Sequence, residues 1–278
     1  MKKVLVYCAN GYGERVIYSL NCDIYEVVGL VDKSKEIIGK SLYGYTVYSP
    51  KEIQELEYDY IIISVSEYAE AIITDLVGTY RVNSNKIVVY QPSERGIDYE
   101  EERNVMLKKL SALIRERNVY GAMAEVGVYK GDFARVMNRC FPERRLFLFD
   151  TFEGFDSTRD VVKESDREKF KDTCVEEVLS KMSNPQVCVV KKGYFPDTAY
   201  DIEEMFSLVS LDCDLYEPIL AGLEFFYPRL APGGYIIVHD FGMYHYTGVK
   251  KAVYEFCDKY HVPIVPILDR CLSVIISK

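Results

Sequence analysis

Two acidic segments stand where strands should end: Ser210-Leu-Asp-Cys-Asp-Leu-Tyr-Glu-Pro218 and Pro232-Gly-Gly-Tyr-Ile-Ile-Val-His-Asp240. In the first, apolar Val209-Ser-Leu runs into Asp212 and Asp214; in the second, Tyr235-Ile-Ile-Val runs into His239 and Asp240. A helix-length segment separates them, so the two strands are expected to be parallel. Open α/β sheets do their chemistry at the carboxyl ends of such strands. Three carboxylates and an imidazole brought to one crevice suit a hard divalent cation, and a carboxylate left uncoordinated can take a proton. The structural alternative is that Asp212 and Asp214 merely cap the following helix. Cys213 lies between them, but no histidine is placed nearby in sequence to activate it as a nucleophile.

A second constellation lies upstream. Ala122-Met-Ala-Glu-Val-Gly-Val-Tyr-Lys-Gly-Asp-Phe-Ala134 places Glu125 at a strand end, then Gly127 and Gly131 before a helix, where backbone can approach a ligand closely. Arg145-Leu-Phe-Leu-Phe-Asp150 follows, and an acid after the second strand is where nucleotide-binding sheets hold ribose hydroxyls. The spacing Glu-x-Gly-x-x-x-Gly does not match a pyrophosphate cradle, although a nicotinamide cofactor stays as the alternative.

These groups need a sheet to carry them, and the pattern supplies one. Strands are expected at 122–126, 146–150, 186–190, 207–212 and 234–239, with helices near 131–140, 170–182, 217–229 and 248–259. Val262-Pro-Ile-Val-Pro-Ile and Leu272-Ser-Val-Ile-Ile-Ser then follow too closely for a crossover, which implies an antiparallel edge pair. Upstream, residues 99–117 put Val105, Leu107, Leu110, Leu113 and Ile114 at helical spacing, an amphipathic helix packing on this domain or on another subunit. A polar, turn-rich stretch at 91–98 marks a domain boundary.

Residues 3 to about 90 read as a smaller parallel α/β unit, with strands at Val4-Leu-Val-Tyr, Val27-Val-Gly-Leu-Val, Ile61-Ile-Ile-Ser-Val and Ile87-Val-Val-Tyr90 and a helix from Glu14 to Leu20. Its first turn, Asn10-Gly-Tyr-Gly-Glu-Arg-Val16, has Gly11 and Gly13 of a dinucleotide fingerprint but valine where the third glycine belongs, and Asp32 follows at the spacing of a ribose-binding acid. Either this is a nucleotide cradle at a helix N-terminus or a tight strand-to-helix turn with Asp32 ending its strand. The expected organisation is therefore 1–95, a small Rossmann-like domain; 96–120, a linker helix; and 121–278, the larger sheet.

Composition narrows the partners. With 278 residues, 49% hydrophobic and 28% charged, the chain is long enough for two cores. A net charge of -9 argues against nucleic-acid and anionic membrane surfaces. No apolar stretch approaches the roughly 20 residues that span a bilayer, and the first residues lead straight into a strand, so a cytoplasmic protein is expected. Eight scattered cysteines without a Cys-x-x-Cys pair fit reduced core residues. Of the 24 tyrosines most are expected in cores or interfaces. His245 and His261 have no partner pattern.

Five segments carry a resemblance: Ala124-Glu-Val-Gly-Val-Tyr-Lys-Gly-Asp-Phe-Ala134, Leu148-Phe-Asp-Thr-Phe-Glu-Gly-Phe155, Lys192-Gly-Tyr-Phe-Pro-Asp-Thr198, Leu211-Asp-Cys-Asp-Leu-Tyr-Glu-Pro218 and Tyr227-Pro-Arg-Leu-Ala-Pro-Gly-Gly-Tyr235. Over roughly 120–260 the chain resembles the macrocin O-methyltransferases, which use S-adenosylmethionine and a divalent metal, usually magnesium, to methylate sugar hydroxyls on natural products. The resemblance implies a seven-stranded class I methyltransferase sheet, five parallel strands plus the antiparallel edge pair, preceded by the Rossmann-like unit. It implies a metal at Asp212, His239 and Asp240, a general base at Asp214, and a cofactor surrounded by Glu125, Gly127, Tyr129, Gly131, Asp150, Thr151, Phe152, Gly193, Tyr194 and Phe195. The implied partner is a small sugar or sugar conjugate, and a homo-oligomer is expected; the alternatives are methyl transfer to a catechol-like acceptor, whose enzymes use a similar metal arrangement, and a non-catalytic protein that keeps cofactor and glycan pockets.

One position departs from that family. Asp-Asp commonly follows its fifth strand, whereas this chain has His239-Asp240. Imidazole shifts the preference from magnesium toward manganese, iron or zinc, and His239 is open as ligand, base or bystander. The first 95 residues resemble small Rossmann-like domains attached to enzymes of nucleotide-sugar and surface-glycan metabolism, which implies either a nucleotide-sugar site or an assembly module.

Overall fold

In the computed structural model of the protein, the described residues are all but 66, 91–101, 157, 161, 164–165, 244–246 and 270. The expected boundary at 91–98, the first residues of the 99–117 helix and His245 lie outside them. The chain divides into two units, Met1–Glu101 and Glu102–Lys278.

Uninterrupted apolar runs form the first unit, because a parallel strand covered on both faces has no polar side to show. Its elements are β1 (Lys2–Tyr7), α1 (Gly11–Ser19), β2 (Tyr25–Val31), β3 (Ser41–Leu42), β4 (Tyr45–Tyr48), β5 (Tyr60–Ile63), α2 (Ala69–Gly78) and β6 (Ile87–Val89). The strand order is β3-β4-β2-β1-β5-β6, parallel except for β3 against β4. That β3–β4 hairpin adds to the expected outline. Its two-residue turn, Tyr43-Gly44, has both residues at positive φ (54° and 86°), the geometry that matches strand twist in tight hairpins.

The second unit runs α3 (Glu102–Glu116), β7 (Ala122–Val126), α4 (Asp132–Cys140), β8 (Leu146–Asp150), α5 (Val175–Ser180), β9 (Cys188–Lys192), β10 (Phe206–Leu211), α6 (Tyr216–Arg229), β11 (Leu230–Val238), α7 (Thr247–Tyr260), β12 (Val265–Pro266) and β13 (Val274–Ser277). Its seven strands lie in the order β12-β13-β11-β10-β7-β8-β9. From β9 to β11 neighbours are parallel, while β13 is antiparallel to both β11 and β12. This is the expected mixed sheet with its reversed edge.

Strand periodicity sorts the core into two layers. Ala122, Ala124 and Val126 of β7 pack with Ile219, Leu223 and Phe226 of α6 and Val253 and Phe256 of α7. Met123, on the other face, packs with Leu107, Leu110 and Ile114 of α3 and Phe133 and Met137 of α4. Helix α3 thus covers the sheet face that also carries Glu125, Leu208, Ser210 and Asp212.

Strand β11 starts at Leu230 and not at 234, helix α1 starts at Gly11 and not at Glu14, and three further bounds differ from expectation for a local reason. Helix α5 starts at Val175 and not near 170, because Phe170 sits in the left-handed region (φ 63°), which a helix cannot pass through. Strand β9 starts at Cys188 because Pro185–Val187 first form a 3₁₀ turn. The edge strand β12 shrinks to two residues beside Pro263 and Pro266, which have no N–H to donate to a ladder.

Candidate active site

The chain leaves β7 toward β8 and β9 on one side, and β10 and β11 lie on the other. The strand order therefore reverses between β7 and β10, and an open sheet leaves its crevice at that point. Asp212 begins there: its N–H donates to the carbonyl of Val126 at 2.8 Å, tying the ends of the two strands together. Asp212, Asp214 and Asp240 each offer a carboxylate oxygen, and these lie within 4.8 Å of one another. His239 forms a second such group with Asp240 and Cys271. Asp214 and Asp240 both have left-handed backbone (φ 61° and 57°), a conformation aspartate tolerates better than most residues and one that turns consecutive side chains out of the strand direction.

The charges are strongly coupled. Burial pushes the Asp214 carboxyl up, the charge on Asp212 and the hydrogen bond with Asp240 add to it, and it reaches about 9. Asp212 is also buried, yet the guanidinium of Arg103 and the imidazole of His239 hold it well below the ordinary carboxylate range. Asp240 is lowered too, since bonds from His239 and Asp214 outweigh its burial. Burial alone would lower His239, but Asp212 reverses this and raises it to about 10. Its Nδ1 lies 2.9 Å from Asp212 Oδ1 and 3.3 Å from Asp240 Oδ2. His239 thus stands between two carboxylates that favour its charged form, although its Nδ1 makes no hydrogen bond of good geometry to either.

Arg103 is the participant that sequence reasoning missed. Its Nη1 donates to Asp212 Oδ2 at 2.7 Å and its Nη2 to Ser210 Oγ at 2.9 Å. In sequence it is one charge among many on an amphipathic helix, and only the packing of α3 on the sheet aims it inward. Cys213, by contrast, is inert: burial pushes its thiol well above the ordinary value, with the neighbouring Asp214 and Asp212 adding to the effect.

The residues expected around a cofactor fall into three loops tied together by Asp150. Its Oδ2 accepts from Val128 N–H at 2.7 Å and Tyr129 N–H at 2.8 Å, and its Oδ1 from Phe152 N–H at 2.7 Å. The Asp150 carbonyl accepts from Gly193 N–H at 2.9 Å, linking the end of β9. Both lone pairs of Oδ2 are thus engaged, while Oδ1 keeps one free as acceptor capacity for a hydroxyl. Glu125 is buried with its Oε2 unpartnered, and burial raises its pKa well above the ordinary value against the opposing charge of Arg103. Such an orphaned polar atom at a crevice is a place for a ligand donor.

Several neighbours play internal parts. A Cβ on Gly127 (φ 84°) would lie 2.1 Å from the carbonyl oxygen of Asp212, so this glycine lets two strand ends approach each other. A Cβ on Gly131, which precedes α4, would meet Val178 at 2.8 Å, and one on Gly193 would meet Thr198 at 2.9 Å. Tyr129 donates its hydroxyl to Asp172 at 2.7 Å, Thr151 to the carbonyl of Gly154 at 2.6 Å and Tyr194 to Asp160 at 3.0 Å. Phe152 and Phe195 are buried, and Phe195 packs its ring with Phe149, Phe225 and Phe226.

In the first unit, several groups of the glycine turn are used internally. Asn10 Oδ1 accepts from Tyr12 N–H at 3.0 Å and from Gly13 N–H at 3.4 Å, capping α1. A Cβ on Gly13 would lie 2.2 Å from the Cys8 carbonyl oxygen, whereas one on Gly11 would meet nothing within 4 Å. Asp32 accepts from Ala9 N–H and from Ser34 N–H, both at 2.9 Å, one with each carboxylate oxygen.

A seven-stranded mixed sheet with acidic groups at its switch point is the architecture of O-methyltransferases, and comparison with known proteins agrees. The macrocin-O-methyltransferase (TylF) family matches residues 100–268, and the chain belongs to that family; it is an O-methyltransferase. Residues 1–88 match a family described as C2185-like, N-terminal. The chain is 26% identical over 243 residues to the mycinamicin III 3''-O-methyltransferase of Micromonospora griseorubida, covering 77% of this chain and 92% of that protein. It is 28% identical over 162 residues to the 8-demethyl-8-(2,3-dimethoxy-alpha-L-rhamnosyl)-tetracenomycin-C 4'-O-methyltransferase of Streptomyces olivaceus, covering 52% and 60% respectively. The fold is similar to that of the O-methyltransferase NovP, with a TM-score of 0.55 and 23% identity over 77% of this chain and 98% of that one. The calicheamicin methyltransferase CalS11 gives 0.51 and 20%, over 76% and 90%. Among the described residues, no helix is long and apolar enough to cross a membrane.

Proposed function

We propose that the enzyme transfers a methyl group from S-adenosylmethionine to a hydroxyl of a sugar or sugar conjugate, with a divalent cation at the carboxylate cluster. The observation that carries this reading is the gathering of Asp212, Asp214 and Asp240 at the β7/β10 switch point. By its name, the Streptomyces olivaceus relative methylates a rhamnosyl-bearing compound, which supports the acceptor class.

The donor set fits such a cation. Three carboxylate oxygens within 4.8 Å suit a hard ion that prefers oxygen. Asp214 is driven to hold its proton by burial and by Asp212, and a positive charge among these groups relieves that repulsion. Asp212 and Asp240 would hold the ion, with Asp214 at its margin. When bound, it supplies Lewis acidity that lowers the pKa of a coordinated hydroxyl. His239 lies against the same two carboxylates, which favour its charged form, and it would become a ligand only as the neutral imidazole.

The remaining steps belong to the chain. Glu125 and Asp150, with the loops after β7, β8 and β9, would orient the cofactor so that its methyl carbon faces the acceptor oxygen. With a cation bound, Asp214 would be ionised and placed to accept the hydroxyl proton, and burial would make it a stronger base than an exposed aspartate. Transfer would form the oxygen–carbon bond as the sulfur–carbon bond breaks, leaving S-adenosylhomocysteine. Holding the two reacting atoms in line supplies much of the acceleration.

Tritiated methyl transfer over a panel of free sugars, nucleotide sugars and catechols tests this reading. Label is expected in a sugar or sugar conjugate; label confined to catechols would overturn the acceptor class.

A further inference from the structure

Arg103 reaches the acidic cluster from the first turn of α3, and its two arms grip two residues on one face of β10. Nη1 takes Asp212 Oδ2 and Nη2 takes Ser210 Oγ, and the period of a strand places residues 210 and 212 on the same side. The guanidinium lies 3.7 Å from the ring centroid of Phe133 on α4, and the side chain is only 12% exposed. Stacking and burial leave the fork little freedom. With Oδ2 taken by Arg103, Asp212 turns Oδ1 toward His239, the neighbour of Asp240.

We propose that Arg103 is a positioning residue for the cation site: it pins Oδ2 of Asp212, so that Oδ1, which faces His239 in this structure, is the oxygen left for an ion to take. This rests on the cation reading given above. Two effects oppose each other here. The guanidinium charge repels a cation, while the fork removes the need to order a carboxylate when the ion arrives. Groups that orient a metal's ligands typically account for about 10-fold to 100-fold in affinity, and the double grip on Ser210 and Asp212 marks Arg103 as such a group. A lysine in its place keeps the charge but cannot span both partners as a rigid planar fork does.

Electron paramagnetic resonance of Mn²⁺ titrated into the full chain tests the proposal, with wild type, R103K and R103M compared and thermal unfolding recorded for each. R103M is expected to bind Mn²⁺ about 10-fold to 100-fold more weakly than wild type, with R103K between them. If R103M does not fold, a weakened R103K supports the same conclusion. Folded variants that bind Mn²⁺ as tightly as wild type, or more tightly, would overturn it, because the guanidinium would then serve only to offset charge. A wild-type chain that does not bind Mn²⁺ at all overturns the cation reading itself, and this proposal with it.

Discussion

At the scale of single residues, the account assigns different work to three aspartates a few ångströms apart, and substitutions separate them. Asp212→Ala or Asp240→Ala is expected to abolish methyl transfer and Mn²⁺ binding together, while calorimetry still detects S-adenosylhomocysteine. For Asp214→Asn the two readouts part: Mn²⁺ still binds, and transfer falls about 100-fold or more, the usual contribution of a general base. A mutant that keeps most of its activity would remove the base assignment. The same residue gives a pH signature in cation-free protein. Asp214 keeps its proton in the folded chain up to about 9, whereas an unfolded chain releases it near pH 4. Its contribution to stability is therefore complete below about pH 4 and is lost as pH climbs toward about 9. His239, raised to about 10, adds stability that is full below about 6.5 and is lost as pH passes through 10. Unfolding midpoints without metal should thus fall from pH 7 to pH 10, and Asp214→Asn should flatten the portion below about 9; an unchanged slope would contradict the proton on Asp214.

At the scale of elements, the turns matter for how closely they let strands meet. Gly127→Ala is expected to cost at least about 2 kcal/mol, since the residue sits at φ 84° and its new Cβ would lie 2.1 Å from the Asp212 carbonyl oxygen. Urea unfolding checks this, and a near-neutral result would mean that the strand ends can separate freely. In the smaller unit Asp32→Ala should cost about 1–3 kcal/mol by leaving the N–H groups of Ala9 and Ser34 without acceptors. If the same substitution instead abolished binding of a nucleoside diphosphate by the full chain without loss of stability, Asp32 would belong to a nucleotide site. Sequence periodicity made much of this level legible. The acidic strand ends, the glycine turn after β7 and the reversed edge pair all follow from local pattern, because each is written in neighbouring residues. Arg103 is not: its role depends on helix α3 lying over β10, a contact across 109 positions that no spacing reveals. His239 was visible as a departure, but its position between Asp212 and Asp240 required the packing of both strand ends.

At the scale of the whole molecule, one sheet brings its chemistry to a single edge because parallel strands all end on the same side. The loops after β7, β8 and β9, clamped by Asp150, stand beside the strand ends that carry Asp212 and Asp240. In the proposed function, topology would set a donor site next to an acceptor site, with the ionic cluster between them. The central claim is that a cation held by those carboxylates makes an acceptor hydroxyl nucleophilic. Its most direct test is transfer of tritiated methyl from S-adenosylmethionine by chelator-treated enzyme, before and after Mg²⁺ or Mn²⁺ is restored. The account predicts near-complete loss of transfer in chelator and recovery on adding the ion; full-rate transfer by the metal-stripped enzyme would contradict it.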